Sequence, residues 1–292
     1  MNPEPEYGSI PTFVRVNRRV TPGPGVHRTS EEVRPEPVVP VVVKIGGRSL
    51  EAPGAPEELA AEVASLSGEV LVVHGGGREV SDWSDRLGIQ SRFVDGLRVT
   101  DAGSLEVAVA VLAGLANKRL VAVLRDSGVD AVGLSALDGG IAQVRLHPAH
   151  ATLGSVGVVE SVDPRLIRML LAEGKTPVLA SIGAIAGELV NLNADELAAS
   201  LAAALGANTL VLLSDAKGLE LDGALVPSLD AGGLESALKH RDVRDGMIAK
   251  LRASQKAIEA GVGRVRIAAW SGRGTLASLL SAGGSGTTVT AR

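Results

Sequence analysis

The chain has 292 residues, 45% apolar and 21% charged, which suits one two-lobed globular domain or two small ones and excludes global disorder. A formal charge of −4 and a body nearly free of aromatic residues offer no footprint for nucleic acid or an anionic membrane. With no cysteine, disulfides, thiolate metal sites and cysteine nucleophiles are excluded. No unbroken apolar run approaches the roughly 18 residues of a membrane span, and the expectation is a soluble, cytoplasmic protein.

Residues 1–37 read as a disordered extension, because eight of the fourteen prolines fall within residues 1–40 and no helical or strand period survives there. The body opens at 38 on Val38-Val39-Pro40-Val41-Val42-Val43, a continuous apolar run of the kind seen in strands covered on both faces. Similar runs follow at 70–73, 131–134, 177–182, 210–213 and 265–269. Amphipathic stretches at 103–126, 163–173, 194–205 and 246–260 alternate with them. That alternation predicts an α/β fold, a three-layer αβα arrangement with a mainly parallel central sheet. Pieces at 140–162 and 184–192 read as hairpins laid over that sheet.

Two strand ends share a design: Val43-Lys44-Ile45-Gly46-Gly47 and Val73-His74-Gly75-Gly76-Gly77. Paired glycines let backbone amides approach a ligand with no Cβ in the way, and helices following both would add partial positive charge. One such loop is as readily a plain turn; two on neighbouring strands, one carrying Lys44, favour an anion site. Gly174-Lys175-Thr176 is not a P-loop, since the first glycine would fall on Met169, and Gly174 reads as a helix C-cap. The histidines show no metal-ligand spacing, and no metal site is expected.

Lys250, in Asp245-Gly246-Met247-Ile248-Ala249-Lys250, reads as a first-turn lysine opposing the helix dipole unless an anion sits there; a solvated lysine is the plainer alternative. In Asn191-Leu192-Asn193-Ala194-Asp195-Glu196, a capping box accounts for Asn193 and Glu196 but not for Asn191, and Asp195 either serves the helix dipole or holds lysines at the sheet edge. Arg98 precedes a ready N-cap, Thr100 or Asp101, and suits a carboxylate ligand. Ser214-Asp215 ends a strand and is either a nucleotide contact or an ordinary turn.

Taken in order, VKIGG (43–47), VHGGG (73–77), DGLRVTD (95–101), LAGLANK (112–118), AVGLS (131–135), PVLASIG (177–183), NLNADELA (191–198), LLSDAKG (212–218), DGMIAK (245–250) and IAAW (267–270) resemble the amino acid kinase family, and within it the dimeric, arginine-insensitive branch acting on N-acetylglutamate. The resemblance implies phosphoryl transfer from ATP to the side-chain carboxylate of N-acetylglutamate in arginine biosynthesis, with Mg2+ carried on the nucleotide phosphates. By the same resemblance, Lys44 and Lys250 flank the transferred group and Asp195 orients them. Gly76, Gly77, Arg98 and Asn191 bind the acylglutamate, while Gly46, Gly47, Ser214, Asp215 and Lys250 serve the nucleotide. Residues 38–206 would be the acylglutamate-binding and dimerisation lobe, and 207–292 the nucleotide lobe. A homodimer is implied, with no nucleic-acid or membrane partner. Kinases for a carrier-linked glutamate or aminoadipate, and non-catalytic sensors, are the alternatives; a sensor has no need of both lysines and Asp195.

Overall fold

The computed structural model describes residues 39–46, 52–281 and 284–292. The proline-rich extension expected at 1–37, and Gly47, lie outside the described residues. The apolar runs form an eight-stranded sheet: β1 (Val41–Ile45), β2 (Val70–His74), β3 (Ala131–Ser135), β4 (Thr176–Ala180), β5 (Thr209–Ser214), β6 (Ser228–Leu229), β7 (Arg264–Ala269) and β8 (Thr287–Thr290). Its order is β6-β8-β7-β5-β1-β2-β4-β3. Strands from β7 to β3 pair in parallel, and β8 joins β7 antiparallel. From β1 the chain winds outward through β2 and its neighbours, then returns to lay β5 on the other side. That reversal makes a topological switch point, where open α/β sheets form a crevice beyond their strand ends. Lys44, paired across to Leu212 and Val73, sits next to the end of β1.

Because side chains alternate along a strand, each strand feeds two cores. Val42, Leu71, Val73, Leu179, Leu210 and Leu212 face one side, against α5 (Ala194–Leu205) and α7 (Asp245–Glu259), which contribute Leu197, Leu201, Leu251 and Ala257. Val43, Ile45, Val70, Val72, Val211 and Leu213 face the other. There they meet Leu59 and Val63 of a helix at Ala55–Ser65, Leu120 and Leu124 of the long helix Ala102–Asp126, and Leu276 and Leu279 of Thr275–Leu280. The three layers match the expectation, and one sheet runs continuously through both halves of the chain. The hairpin pieces form a second, four-stranded sheet from Ala142–Leu146, Val156–Val162, Glu188–Leu192 and Ile182–Ile185.

Several local expectations need correction. Ala102–Asp126 has 25 helical residues and an 18-residue window of mean hydropathy 1.8, so by length and composition it could cross a membrane; a search for unbroken apolar runs missed it because a helix tolerates scattered polar residues. Its middle, Ala110–Ala116, is wound as a π-helix. The second glycine loop leads straight into a helix, at Gly77–Arg86; among the described residues the first helix after Gly46 is Ala55–Ser65, and residues 47–51 lie outside them. Lys250 is the sixth residue of α7, in its second turn, so the dipole opposes it less than expected. Asn193 does cap α5, accepting from the amides of Asp195 and Glu196, but the Glu196 carboxylate pairs with Lys256 at 3.1 Å instead of completing a capping box. Gly174, at φ +70°, follows its helix as expected.

Candidate active site

Lys44 shares the face of β1 that carries Val42, and so points at the N-terminus of α5. There its Nζ lies 2.7 Å from Asp195 Oδ1. From α7, Lys250 Nζ approaches the other carboxylate oxygen at 3.4 Å. Both Lys44 and Asp195 are buried. Burial alone would push the Asp195 carboxyl up; the ammonium groups of Lys44 and Lys250 outweigh it and hold its pKa below the ordinary carboxylate range. Burial, reinforced by the like charge of Lys250, lowers the Lys44 pKa even though Asp195 opposes the shift. The result is a pair of cations held side by side by one anion, with a net positive charge. A buried assembly of this kind is costly unless a further anion completes it.

Gly46 lets Lys44 take that position. A Cβ there would stand 2.2 Å from Lys44 Nζ, so any side chain would push the ammonium away. The Gly46 N–H is donated to Leu213 O at 3.0 Å, continuing the sheet. This corrects the expectation that the Gly46 amide awaits a phosphate: that donor is used inside the fold.

A cavity of about 170 Å³ adjoins the triad, lined among others by Lys44, Asp195, Gly46, Gly76, Gly77, Arg98 and Asn191. Arg98 stands on a short hairpin, Phe93–Val94 with Leu97–Arg98. Its guanidinium donates to Gly77 O at 2.5 Å, Ser81 Oγ at 2.7 Å and Ser91 Oγ at 2.8 Å, and lies 4.7 Å from the Phe93 ring centre. So Arg98, which no local pattern in the sequence explains, also ties the hairpin to the second glycine loop. Asn191 donates to Thr100 Oγ1 at 3.3 Å. The hairpin's tip reaches the start of α7: a Cβ on Gly96 would lie 2.9 Å from the Asp245 carbonyl.

Ser214 ends β5 next to β1 and Asp215 follows it; both lie outside that cavity's lining, and Asp215 is near enough for its charge to act on Lys44. Ser214 is buried, its hydroxyl accepting from the amide of Ala216 at 3.2 Å. Gly47 lies outside the described residues. His240, given no metal role from the sequence, does meet Asp222 and Asp242, with one ligand atom from each within 4.8 Å of the others. Their contacts are local: Arg241 pairs with Asp222 at 3.1 Å, and the Asp222 amide donates to Asp242 Oδ2.

Residues 40–269 match the model of the amino acid kinase family. The chain belongs to the amino acid kinase family. Among relatives of this amino acid kinase, the acetylglutamate kinase of Rubrobacter xylanophilus is 44% identical over 249 residues, covering 85% of this chain and 96% of the relative. That of Koribacter versatilis is 42% identical over 232 residues, covering 78% and 89%. Among solved structures, N-acetylglutamate synthase from Neisseria gonorrhoeae complexed with coenzyme A and N-acetyl-glutamate superposes with TM-score 0.75 at 28% identity, covering 86% of this chain and 59% of that one.

Two residues beside the site escaped the sequence reading. His74 and Asn117 lie in motifs quoted above, VHGGG and LAGLANK, but neither has a pattern that announces a role. They meet 3.1 Å apart beneath the second glycine loop.

Proposed function

We propose that this protein is an acetylglutamate kinase, moving the γ-phosphoryl group of ATP to the side-chain carboxylate of N-acetyl-L-glutamate in the second step of arginine biosynthesis. The observation that carries this reading is the buried Lys44–Asp195–Lys250 triad beside a glycine-lined cavity; the identity to named acetylglutamate kinases supports the substrate.

The attacking carboxylate is already ionised at pH 7, so no general base is needed. Its oxygen attacks the γ-phosphorus, the bond to the β–γ bridging oxygen breaks, and ADP leaves without a proton transfer. The obstacle is bringing anions together and stabilising the charge spread over the moving group. Lys44 and Lys250 supply that stabilisation, and Asp195 holds both in place. Gly76 and Gly77 offer amides to the acylglutamate, while Arg98 and Asn191 bind it from the 38–206 half. The nucleotide lies toward Ser214, Asp215 and Lys250 in the 207–292 half, with Gly46 between; Gly47 is assigned to the nucleotide by the resemblance alone. Both Asp195 oxygens face ammonium groups, so the triad offers no carboxylate for Mg2+; the ion would travel on the ATP phosphates. The resemblance further supports a cytoplasmic homodimer.

The test is ADP release with N-acetylglutamate, N-succinylglutamate, free glutamate and aspartate as acceptors. Turnover with N-acetylglutamate in preference to the rest is the expected result. No turnover with any of them, despite ATP binding, overturns the reading.

A further inference from the structure

We infer that His74 and Asn117 are positioning residues that aim the Gly76 amide through one fixed histidine tautomer. Asn117, fully buried in the long helix, donates through Nδ2 to Val178 O at 2.9 Å on β4, with Leu134 O of β3 at 3.3 Å sharing the second hydrogen's side. Its Oδ1 accepts from Lys118 Nζ at 3.0 Å. Two carbonyls on one side and an ammonium on the other leave the amide a single orientation. The same Nδ2 lies 3.1 Å from His74 Nε2. With one Nδ2 hydrogen on Val178 O, the other is left for Nε2, and an amide nitrogen cannot accept from an Nε2–H; Nε2 is therefore the bare nitrogen and the proton sits on Nδ1, 3.0 Å from the acceptor Gly75 O. Burial lowers the His74 pKa, Lys118 and Lys44 add to the shift, and the ring stays neutral as this arrangement requires. Space for the network is built in: a Cβ on Gly133 would lie 2.2 Å from Asn117 Oδ1.

A peptide unit is planar and trans, so the Gly75 carbonyl and the Gly76 N–H point opposite ways. Holding the carbonyl toward His74 therefore turns the Gly76 N–H away from it. The Gly75 N–H is pinned as well, on Ile45 O at 3.2 Å. The loop is thus oriented from below by groups outside the lining of the cavity beside the triad. Its kinetic consequence rests on the acetylglutamate kinase reading; the tautomer does not.

Long-range nitrogen–proton NMR on histidine-labelled, ligand-free protein reads the tautomer directly. The expected His74 signal is Nδ1 protonated and Nε2 bare; an Nε2–H form or a charged ring overturns the inference. Kinetics supply the second arm. In His74→Asn the side-chain amide can stand where Nδ1 was and donate to Gly75, whereas in His74→Gln it reaches the Nε2 position. His74→Gln is expected to lower kcat/KM for N-acetylglutamate by up to about 100-fold with the KM for ATP little changed. His74→Asn recovers most of that loss. Equal losses in the two variants, or a loss shared by both substrates, overturn the positioning role. Should the wild type phosphorylate none of the acceptors, the functional reading falls and the NMR arm still decides the network. Should His74→Gln not fold, the wild-type spectrum decides alone.

Discussion

The two glycine loops read alike in the sequence and do different work in the fold. At the first, Gly46 spends its N–H on Leu213 O and contributes an absent Cβ, the space in which Lys44 Nζ reaches Asp195. At the second, the loop runs directly into a helix and is fastened by His74 from one side and Arg98 from the other. One glycine makes room for a cation; the other loop presents its backbone. A glycine pair at a strand end therefore identifies a crowded place without saying what crowds it.

The contrast can be broken most severely at the cation. Lys44→Ala and Lys250→Ala should each cut kcat by about 10²–10³-fold with the fold retained, as steady-state assays and circular dichroism would show. Near-normal kcat in either would remove the triad from the chemistry. Asp195→Asn follows, because it leaves the buried Lys44 ammonium and the partly buried Lys250 ammonium without their counter-charge. A fall in kcat together with a stability loss of about 3–5 kcal/mol in denaturant unfolding is expected. The folded-state pKa of Asp195 is depressed, so its stabilisation is present above the ordinary carboxylate pKa and is lost as pH falls through the folded value.

Gly46→Ala sharpens the comparison. The new Cβ meets the far end of a flexible lysine, so the lysine moves and the fold does not. We expect kcat to drop about 10- to 100-fold with a smaller stability loss than in Asp195→Asn, since the Asp195 charge and its contact with Lys250 remain; a large stability loss with normal kcat would make Gly46 a plain structural glycine. A smaller effect concerns pH. Lys44 must stay charged and burial lowers its pKa, so kcat/KM should fall along an alkaline limb below the ordinary lysine range. A limb at the ordinary lysine value would show that the free enzyme does not depend on the buried ammonium.

The mildest change lies far from both loops. Buried Glu62 accepts from the amides of Gly274, Thr275 and Leu276 at the start of the Thr275–Leu280 helix. Glu62→Ala should cost about 1–2 kcal/mol of stability while kcat stays normal, which separates loss of fold from loss of site.

The periodicity of the chain alone determined the layered α/β architecture. Runs such as Val41–Val43 and Leu210–Leu213 can be satisfied only between two apolar layers, and burial of that surface dominates the folding free energy. Order and spacing of short motifs were also enough to single out Lys44, Asp195, Lys250, Arg98 and Asn191. Partnership was legible only through the resemblance, which set Asp195 against both lysines; the meeting of His74 with Asn117 was not legible at all. Asp195 and Lys250 are 55 residues apart, and His74 and Asn117 are 43 apart. No local period records which of them meet. Parallel strands crossing at the switch point bring these groups together, and only there do their charges and protons acquire a fixed direction.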